Sequence, residues 1–194
     1  GPAIHAKTTD PFERLQLVER IVRLAPTQTR RSEEMLSFQQ FSTPLGLAWV
    51  AGFSAGFIPG ELVLEPSAGT GLLAIHAELA GCKIALNEVA DVRTALLGKL
   101  FDGQPVSIHD GAQIHDRLDA DLLPSCIVMN PPFSTALHVE TRVADAAFRH
   151  LTSAVARLAE PGRLVAITGA SCAPDHKTWR DGFVRLQDKP RVVF

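Results

Sequence analysis

Short apolar runs alternate with amphipathic stretches along most of the chain from residue 61 onward. The runs are rich in Val, Ile and Leu and end at glycine, proline or polar residues, a pattern typical of strands buried on both faces. The stretches between them have apolar residues at helical spacing, so the alternation predicts a parallel sheet covered by helices. The predicted strands are residues 62–65, 83–87, 106–109, 125–129, 163–168 and 191–194, and the predicted helices are 72–80, 91–101, 113–118, 140–159 and 178–186.

The first 60 residues have a different pattern, which predicts helices without strands. Asp10 and Pro11 supply a capping side chain and a first-turn proline for a helix that ends at about residue 25. A second short helix is predicted over residues 32–38, and Thr43 is predicted to cap a third helix that starts at Pro44. We therefore expect an N-terminal helical segment, 1–60, that covers the site of the core, 61–194.

The composition limits the possible classes of function. With 194 residues, 46% of them hydrophobic, the chain can bury one core, and its formal net charge of −2 gives no overall positive excess for nucleic acid. The cysteines are far apart and the seven histidines lack metal-ligand spacing, so we predict reduced cysteines and no metal. No apolar stretch approaches the roughly 20 residues of a membrane span and no signal peptide opens the chain, which predicts a cytoplasmic protein without a membrane partner.

Candidate chemistry lies where the predicted strands end, at the edge of a parallel sheet that binds ligands. The first strand ends at Glu65, and the turn after it contains Gly69 and Gly71. Glycines let a ligand approach the backbone, and the free amides of the helix start favour an anionic group such as a carboxylate. Because an acid just before the turn would repel a pyrophosphate, this turn suits the ammonium of a methionine moiety better than a dinucleotide.

The next three strand ends carry complementary groups. Glu88 follows the second strand and can accept hydrogen bonds from both ribose hydroxyls, and Asp110 follows the third and can accept from an adenine amine. The fourth strand leads into Asn130-Pro131-Pro132-Phe133, whose amide, rigid prolines and aromatic ring suit a flat ring that bears an amine. Four consecutive strand ends thus predict one shared binding site.

Together these motifs resemble a known enzyme family. The segment LEPSAGTG (64–71), then Asn87-Glu88, then Asn130 to Phe133, resemble in this order the amino-methyltransferases that use S-adenosylmethionine. The segment Phe41-Ser42-Thr43-Pro44 resembles the one that closes over the cofactor in DNA adenine-N6 methyltransferases of the γ order. The resemblance spans about residues 38–170 and implies an α/β, Rossmann-like class I methyltransferase fold, a doubly wound, mostly parallel sheet with an N-terminal helical extension. It implies S-adenosylmethionine as the cofactor, bound by Phe41, Thr43, Glu65, Ala68, Gly69, Gly71, Glu88, Val89, Asp110 and Asn130.

The residues after the fourth strand fit methyl transfer to an amine. An exocyclic adenine amine is a weak nucleophile, because its lone pair is delocalised into the ring. The Asn130 side-chain oxygen and the Pro131 carbonyl can draw it towards a pyramidal geometry, with the acceptors held rigidly by Pro131 and Pro132. Phe133 can stack on a base that has been turned out of its helix. A sulfonium leaving group makes a basic side chain unnecessary, and no cysteine lies in a Pro-Cys turn as a C5-cytosine mechanism would need.

The segment is also similar to the methylase part of bacterial methylase–helicase fusions of the strawberry-notch type. This similarity implies that a recognition or helicase region outside these residues engages DNA. The sheet of such a fold continues by one more antiparallel strand, so we expect this sequence to be cut from a longer protein after Phe194 and to be monomeric as a fragment. Phe133 departs from the Tyr of many DNA enzymes and is shared with some ribosomal RNA methyltransferases.

Three functions stay open at this stage. The first is N6-adenine methylation of DNA. The second is methylation of an RNA base or a protein glutamine by the same clamp of asparagine, prolines and aromatic ring. The third is a non-catalytic module that binds S-adenosylmethionine within a larger protein.

Overall fold

The computed structural model describes residues 7–24, 42–132, 146–169 and 172–187. They form a parallel five-stranded sheet in the order β3-β2-β1-β4-β5. The chain runs outwards from the central β1 to β3 and then returns to place β4 on the other side of β1. This doubly wound order confirms the predicted Rossmann-like fold, and it puts a ligand-binding crevice beside the carboxyl ends of β1 and β4. The strands are β1 Leu62–Glu65, β2 Lys83–Asn87, β3 Val106–Ser107, β4 Cys126–Met129 and β5 Arg163–Ala166.

Seven α-helices lie within the described ranges. The first begins as predicted, because Asp10 Oδ1 accepts a hydrogen bond of 2.7 Å from the backbone N–H of Phe12. Asp110 opens a 3₁₀ turn, Gly111–Gln113, in the same way, accepting from Ala112 N at 2.9 Å. The α-helices are α1 Pro11–Leu24, α2 Leu45–Ala55, α3 Ala74–Leu79, α4 Asp91–Leu100, α5 Ile114–Arg117, α6 Ala146–Arg157 and α7 Arg180–Gln187.

The core has one layer on each face of the sheet, because successive strand residues point to opposite faces. Val63 of β1 packs into a cluster with α2, α3 and α4, and Leu64 packs into a second cluster with α6 and α7. Helix α6 lies within the helix predicted over residues 140–159, and its apolar stripe at helical spacing, Ala147, Leu151 and Ala154, is buried in the second cluster.

Helix α2 belongs to this core, where Ala48, Ala51 and Ala55 are buried and the helix packs against β4 and β5. Its C-terminal end is held by Arg163, the first residue of β5. The Arg163 guanidinium donates to the carbonyls of Ala55 and Gly56, and it pairs with Glu61 through two nitrogens. The N-terminal end of α2 lies just after Thr43, near the carboxyl ends of the strands.

The structure corrects several predicted boundaries. The predicted cap by Thr43 is wrong, because the N-cap of α2 is Pro44, which follows Thr43 and makes no side-chain cap. Strand β3 ends at Ser107 rather than at residue 109, because the His109 N–H donates to the Asn87 side chain instead of to a neighbouring strand. Strand β5 ends at Ala166 rather than at residue 168. The helix predicted at 32–38, the start of the long helix at 140–145 and the strand at 191–194 lie outside the described residues.

The described residues contain neither a helix suited to crossing a membrane nor a group of side chains suited to a metal ion. None of their helices has both the length and the apolar character that crossing a membrane requires. None of their His, Cys, Asp and Glu side chains form a group of three or more that could hold a metal ion.

Candidate functional site

A pocket with a volume of about 350 Å³ opens at the carboxyl edge of the sheet. It unites residues that are far apart in the sequence, from the segment before α2 and from the ends of β1, β2, β3 and β4. The predicted site residues in its wall are Thr43, Ala68, Gly69, Glu88, Val89, Asp110, Asn130, Pro131 and Pro132. Two further predicted residues, Glu65 and Gly71, lie behind the wall, whereas Phe41 and Phe133 lie outside the described residues.

Glu88 fixes the glycine turn to the end of β2. Its Oε2 accepts a hydrogen bond of 2.7 Å from Gly69 N, and its Oε1 accepts one of 2.9 Å from Ala90 N. Two carboxylate oxygens offer about four acceptor positions, so these bonds leave capacity for two more donors. Glu88 lines the pocket and can therefore accept from the paired hydroxyls of a ribose, as predicted from the sequence.

The glycines of the turn have different roles. Gly69 lies in the pocket wall with a φ of +56°, a conformation that favours glycine. Gly71 has a φ of +75°, and a Cβ on it would lie 2.3 Å from the Phe101 ring. The structure thus packs Gly71 against Phe101 and Leu97, where its small size lets the end of helix α4 approach the turn closely.

Asn87 was not predicted to have a role, yet it ties three strand ends together. Its Nδ2 donates to the carbonyls of Pro66 and His109, and its Oδ1 accepts from His109 N and from Ser107 Oγ. The side chain is 1% exposed and both of its polar atoms are satisfied. Asn87 therefore holds the turns after β1 and β3 in place on either side of Glu88.

Asn130 lies at the end of β4 and contacts the segment before α2. Its Nδ2 donates a hydrogen bond of 3.0 Å to Thr43 Oγ1. Its Oδ1 is buried and has no hydrogen-bond partner within the part of the chain that the structure describes. Leaving a buried acceptor unpaired costs about 1–3 kcal/mol, so this oxygen marks a place where a ligand donor can bind.

His150 of α6 is a second pocket residue that was not predicted from the sequence. Its Nδ1 lies 3.4 Å from Ser67 Oγ, and its Nε2 lies 3.8 Å from Asp110 Oδ1. Burial lowers the pKa of His150, and the nearby Asp110 carboxylate only partly opposes this, which favours the neutral imidazole. The sequence contained a sign of this position. Residue 150 is three after Ala147 and four before Ala154, so its side chain lies on the same face of the helix as the apolar stripe.

Comparisons with known proteins identify the fold. No protein-family model and no curated protein matches the sequence. Among solved structures, a provisionally assigned RNA methyltransferase of Pyrococcus horikoshii is 21% identical with a TM-score of 0.63, over 88% of this chain and 80% of that one. A modification subunit of a provisionally assigned type I restriction enzyme from Vibrio vulnificus is 17% identical with a TM-score of 0.57, over 91% of this chain and 43% of that one. A TehB-like SAM-dependent methyltransferase of Corynebacterium glutamicum is 14% identical with a TM-score of 0.51, over 70% and 69%. The chain has a class I methyltransferase fold.

In this methyltransferase fold, the acid before the glycine turn has a structural role. Glu65 is 2% exposed, and its Oε2 accepts a hydrogen bond of 2.8 Å from Ala74 N at the start of α3. Burial raises the pKa of Glu65 well above its usual value, and the Glu88 carboxylate adds to the shift. The buried carboxyl therefore supports the turn from behind, and its position does not favour the expected attraction to an ammonium in the pocket.

Glu65→Gln is expected to become increasingly stabilising, relative to the wild type, as the pH rises above about 4.5. Because the pKa of Glu65 is raised in the native state, the native state binds this proton more tightly than the unfolded chain does, so rising pH favours the unfolded wild type, whereas glutamine cannot ionise. Urea unfolding of both proteins across a pH series measures the difference in their free energies of unfolding. Glu19→Gln, at an exposed position on α1, is the control. A difference that does not change with pH would show that Glu65 is ionised in the native state.

Proposed function

We propose that this protein transfers a methyl group from S-adenosylmethionine to the exocyclic N6 amine of adenine in DNA. The observation that carries the proposal is the buried Oδ1 of Asn130, an acceptor without a partner among the described residues, next to Pro131 and Pro132 in the pocket wall. An amine with two N–H donors is the type of group that would satisfy such an acceptor.

The pocket suits the proposed cofactor. Glu88 can accept from the ribose, Asp110 can accept from the adenine amine, and the turn at Gly69 lies between β1 and the pocket. Both acids lie in the pocket wall, where negative charge favours a cationic sulfonium. The volume of about 350 Å³ falls in the usual range for small-molecule sites.

When bound, S-adenosylmethionine would supply a methyl group on a positively charged sulfur, which leaves as a neutral thioether. The residues of this chain would act on the amine. Asn130 Oδ1 would accept one amine hydrogen and the Pro131 carbonyl the other, which would concentrate the lone pair on nitrogen. The amine so oriented would be the nucleophile that takes the methyl group, and its extra proton would pass to water. Because both acceptors lie on the rigid segment after β4, they need little reorganisation during the reaction.

DNA is favoured by the resemblance of residues 41–44 to the γ-order DNA adenine enzymes. The similarity to a restriction-modification subunit supports this choice, whereas the similarity to an RNA methyltransferase supports RNA as the second candidate. The geometry of Asn130 fits an exocyclic amine on either polymer, so the polymer has to be decided by experiment.

The deciding experiment supplies S-adenosylmethionine with a labelled methyl group to the protein together with single-stranded DNA, duplex DNA, RNA or a protein extract. High polymer concentrations are needed, because a net charge of −2 predicts weak phosphate binding. We expect N6-methyladenosine after digestion of the DNA to nucleosides. Label in RNA or protein alone would replace DNA as the substrate, and cofactor binding without transfer to any of them would favour a non-catalytic module.

A further inference from the structure

Thr43 lies where the N-terminal part of the chain contacts the residues proposed to bind the amine. The hydrogen bond from Asn130 Nδ2 to Thr43 Oγ1 joins residues that are 87 positions apart in the sequence. Thr43 does not cap α2, so the helix start makes no competing use of its side chain. The contact therefore needs a different explanation.

The two ends of an asparagine amide have nearly the same shape but opposite hydrogen-bonding character. A threonine hydroxyl can accept from the nitrogen end or donate to the oxygen end, so both orientations of Asn130 could contact Thr43. They differ at the other end of the amide. With Nδ2 on Thr43, an acceptor oxygen faces the buried position; with the amide turned over, two N–H donors would face it and would oppose an incoming amine.

Burial favours the orientation seen in the structure. The position of Oδ1 is buried and has no partner among the described residues, and two unpaired N–H donors would be less favourable there than one unpaired oxygen. This preference depends on an acceptor for Nδ2 on the opposite side, and Thr43 Oγ1 provides it at 3.0 Å. Without the hydroxyl, neither orientation would satisfy the nitrogen.

We propose that Thr43 is a positioning residue that fixes the orientation of the Asn130 amide and so presents Oδ1 to the substrate amine. This inference rests on the proposed function for its catalytic consequence. The hydroxyl acts through Asn130, and an acceptor lost from the transition state should lower kcat more than it weakens binding of the methyl donor.

Thr43→Val removes the hydroxyl at nearly constant shape, and Thr43→Ser retains it. With saturating S-adenosylmethionine, we expect kcat to fall about 10–100-fold in the valine variant and to stay within about threefold of wild type in the serine variant. Calorimetry with S-adenosylhomocysteine measures donor-site affinity separately. A valine variant with weaker affinity but normal kcat would show that Thr43 contacts the donor only, and would overturn the inference.

A second measurement does not depend on activity. Asn87 and Asn130 are the only asparagines in the sequence, so selective ¹⁵N labelling of asparagine gives two side-chain amide pairs in the NMR spectrum. We expect Thr43→Val to speed hydrogen exchange of the Asn130 pair about tenfold or more, while the Asn87 pair, bonded to Pro66 and His109, serves as an internal control. Unchanged exchange at Asn130 would overturn the positioning role even if the enzyme is active. If the wild type transfers no methyl group, the proposed function fails, and the NMR result still decides whether Thr43 orients the amide.

Discussion

Asn130→Ala is expected to lower kcat for methyl transfer by about 10²–10³-fold or more, the usual cost of removing one preorganised group that stabilises a transition state. Alanine removes the Oδ1 acceptor and also the bond from Nδ2 to Thr43. The Pro131 carbonyl would remain, but one acceptor cannot restrain both amine hydrogens. The measurement is single-turnover transfer of a labelled methyl group at saturating donor.

The control for Asn130→Ala is Gln16→Ala, which truncates an exposed amide side chain on α1. Circular dichroism and calorimetry with S-adenosylhomocysteine would establish that the alanine variant is folded and that donor affinity changes less than the rate. Methyl transfer at more than about a tenth of the wild-type rate would exclude Asn130 as the acceptor that activates the amine.

Glu88→Ala is expected to weaken binding of S-adenosylmethionine by about 1.5–3 kcal/mol, or roughly 10–150-fold in Kd. The substitution removes the proposed ribose acceptor and leaves the N–H groups of Gly69 and Ala90 without their partner. Loss of the bond to Gly69 would also loosen the glycine turn that lines the pocket. Loss of the ribose acceptor and loosening of the turn would both weaken cofactor binding. Titration calorimetry gives the Kd directly.

Asp91→Ala provides the matched control for Glu88→Ala, because it removes an acid three residues further on from an exposed position at the start of α4. It should change the Kd less than about threefold. If Glu88→Ala binds the cofactor as tightly as wild type, the carboxylate neither contacts the ribose nor holds the turn in a shape that binding requires.

The sheet could be predicted because its strands are short apolar runs between polar or turn residues. Val63 and Leu64 belong to a run that is buried on both faces, and such a run has few alternatives to a central parallel strand. Strand β3 was harder, since Ile108 is 51% exposed and only the tertiary position of Asn87 shows why pairing stops at Ser107. The apolar pattern of a sequence does not show where a backbone N–H will bond to a side chain instead of to a neighbouring strand.

The candidate site was predicted where function depends on residues at strand ends, and it was missed where it depends on contacts between elements. Glu88 and Asn130 follow their strands directly, so the topology alone places them at one edge. The bonds of Asn87, the approach of His150 and the contact with Thr43 join segments that the sequence does not show to be neighbours. Glu65 illustrates the opposite error: its position was correct, but burial turned an expected ligand group into a support for α3.

Helix α2 runs from the carboxyl ends of the strands to the opposite side of the sheet, where β5 begins. Its 11 residues give it a length of about 16 Å, with Thr43 before its first turn and the Arg163 network at its last. Close packing of Ala48, Ala51 and Ala55 against the core prevents the helix from sliding without disturbing its neighbours. One helix therefore carries both contacts, the bond between Thr43 and Asn130 before its start and the Arg163 bonds at its end.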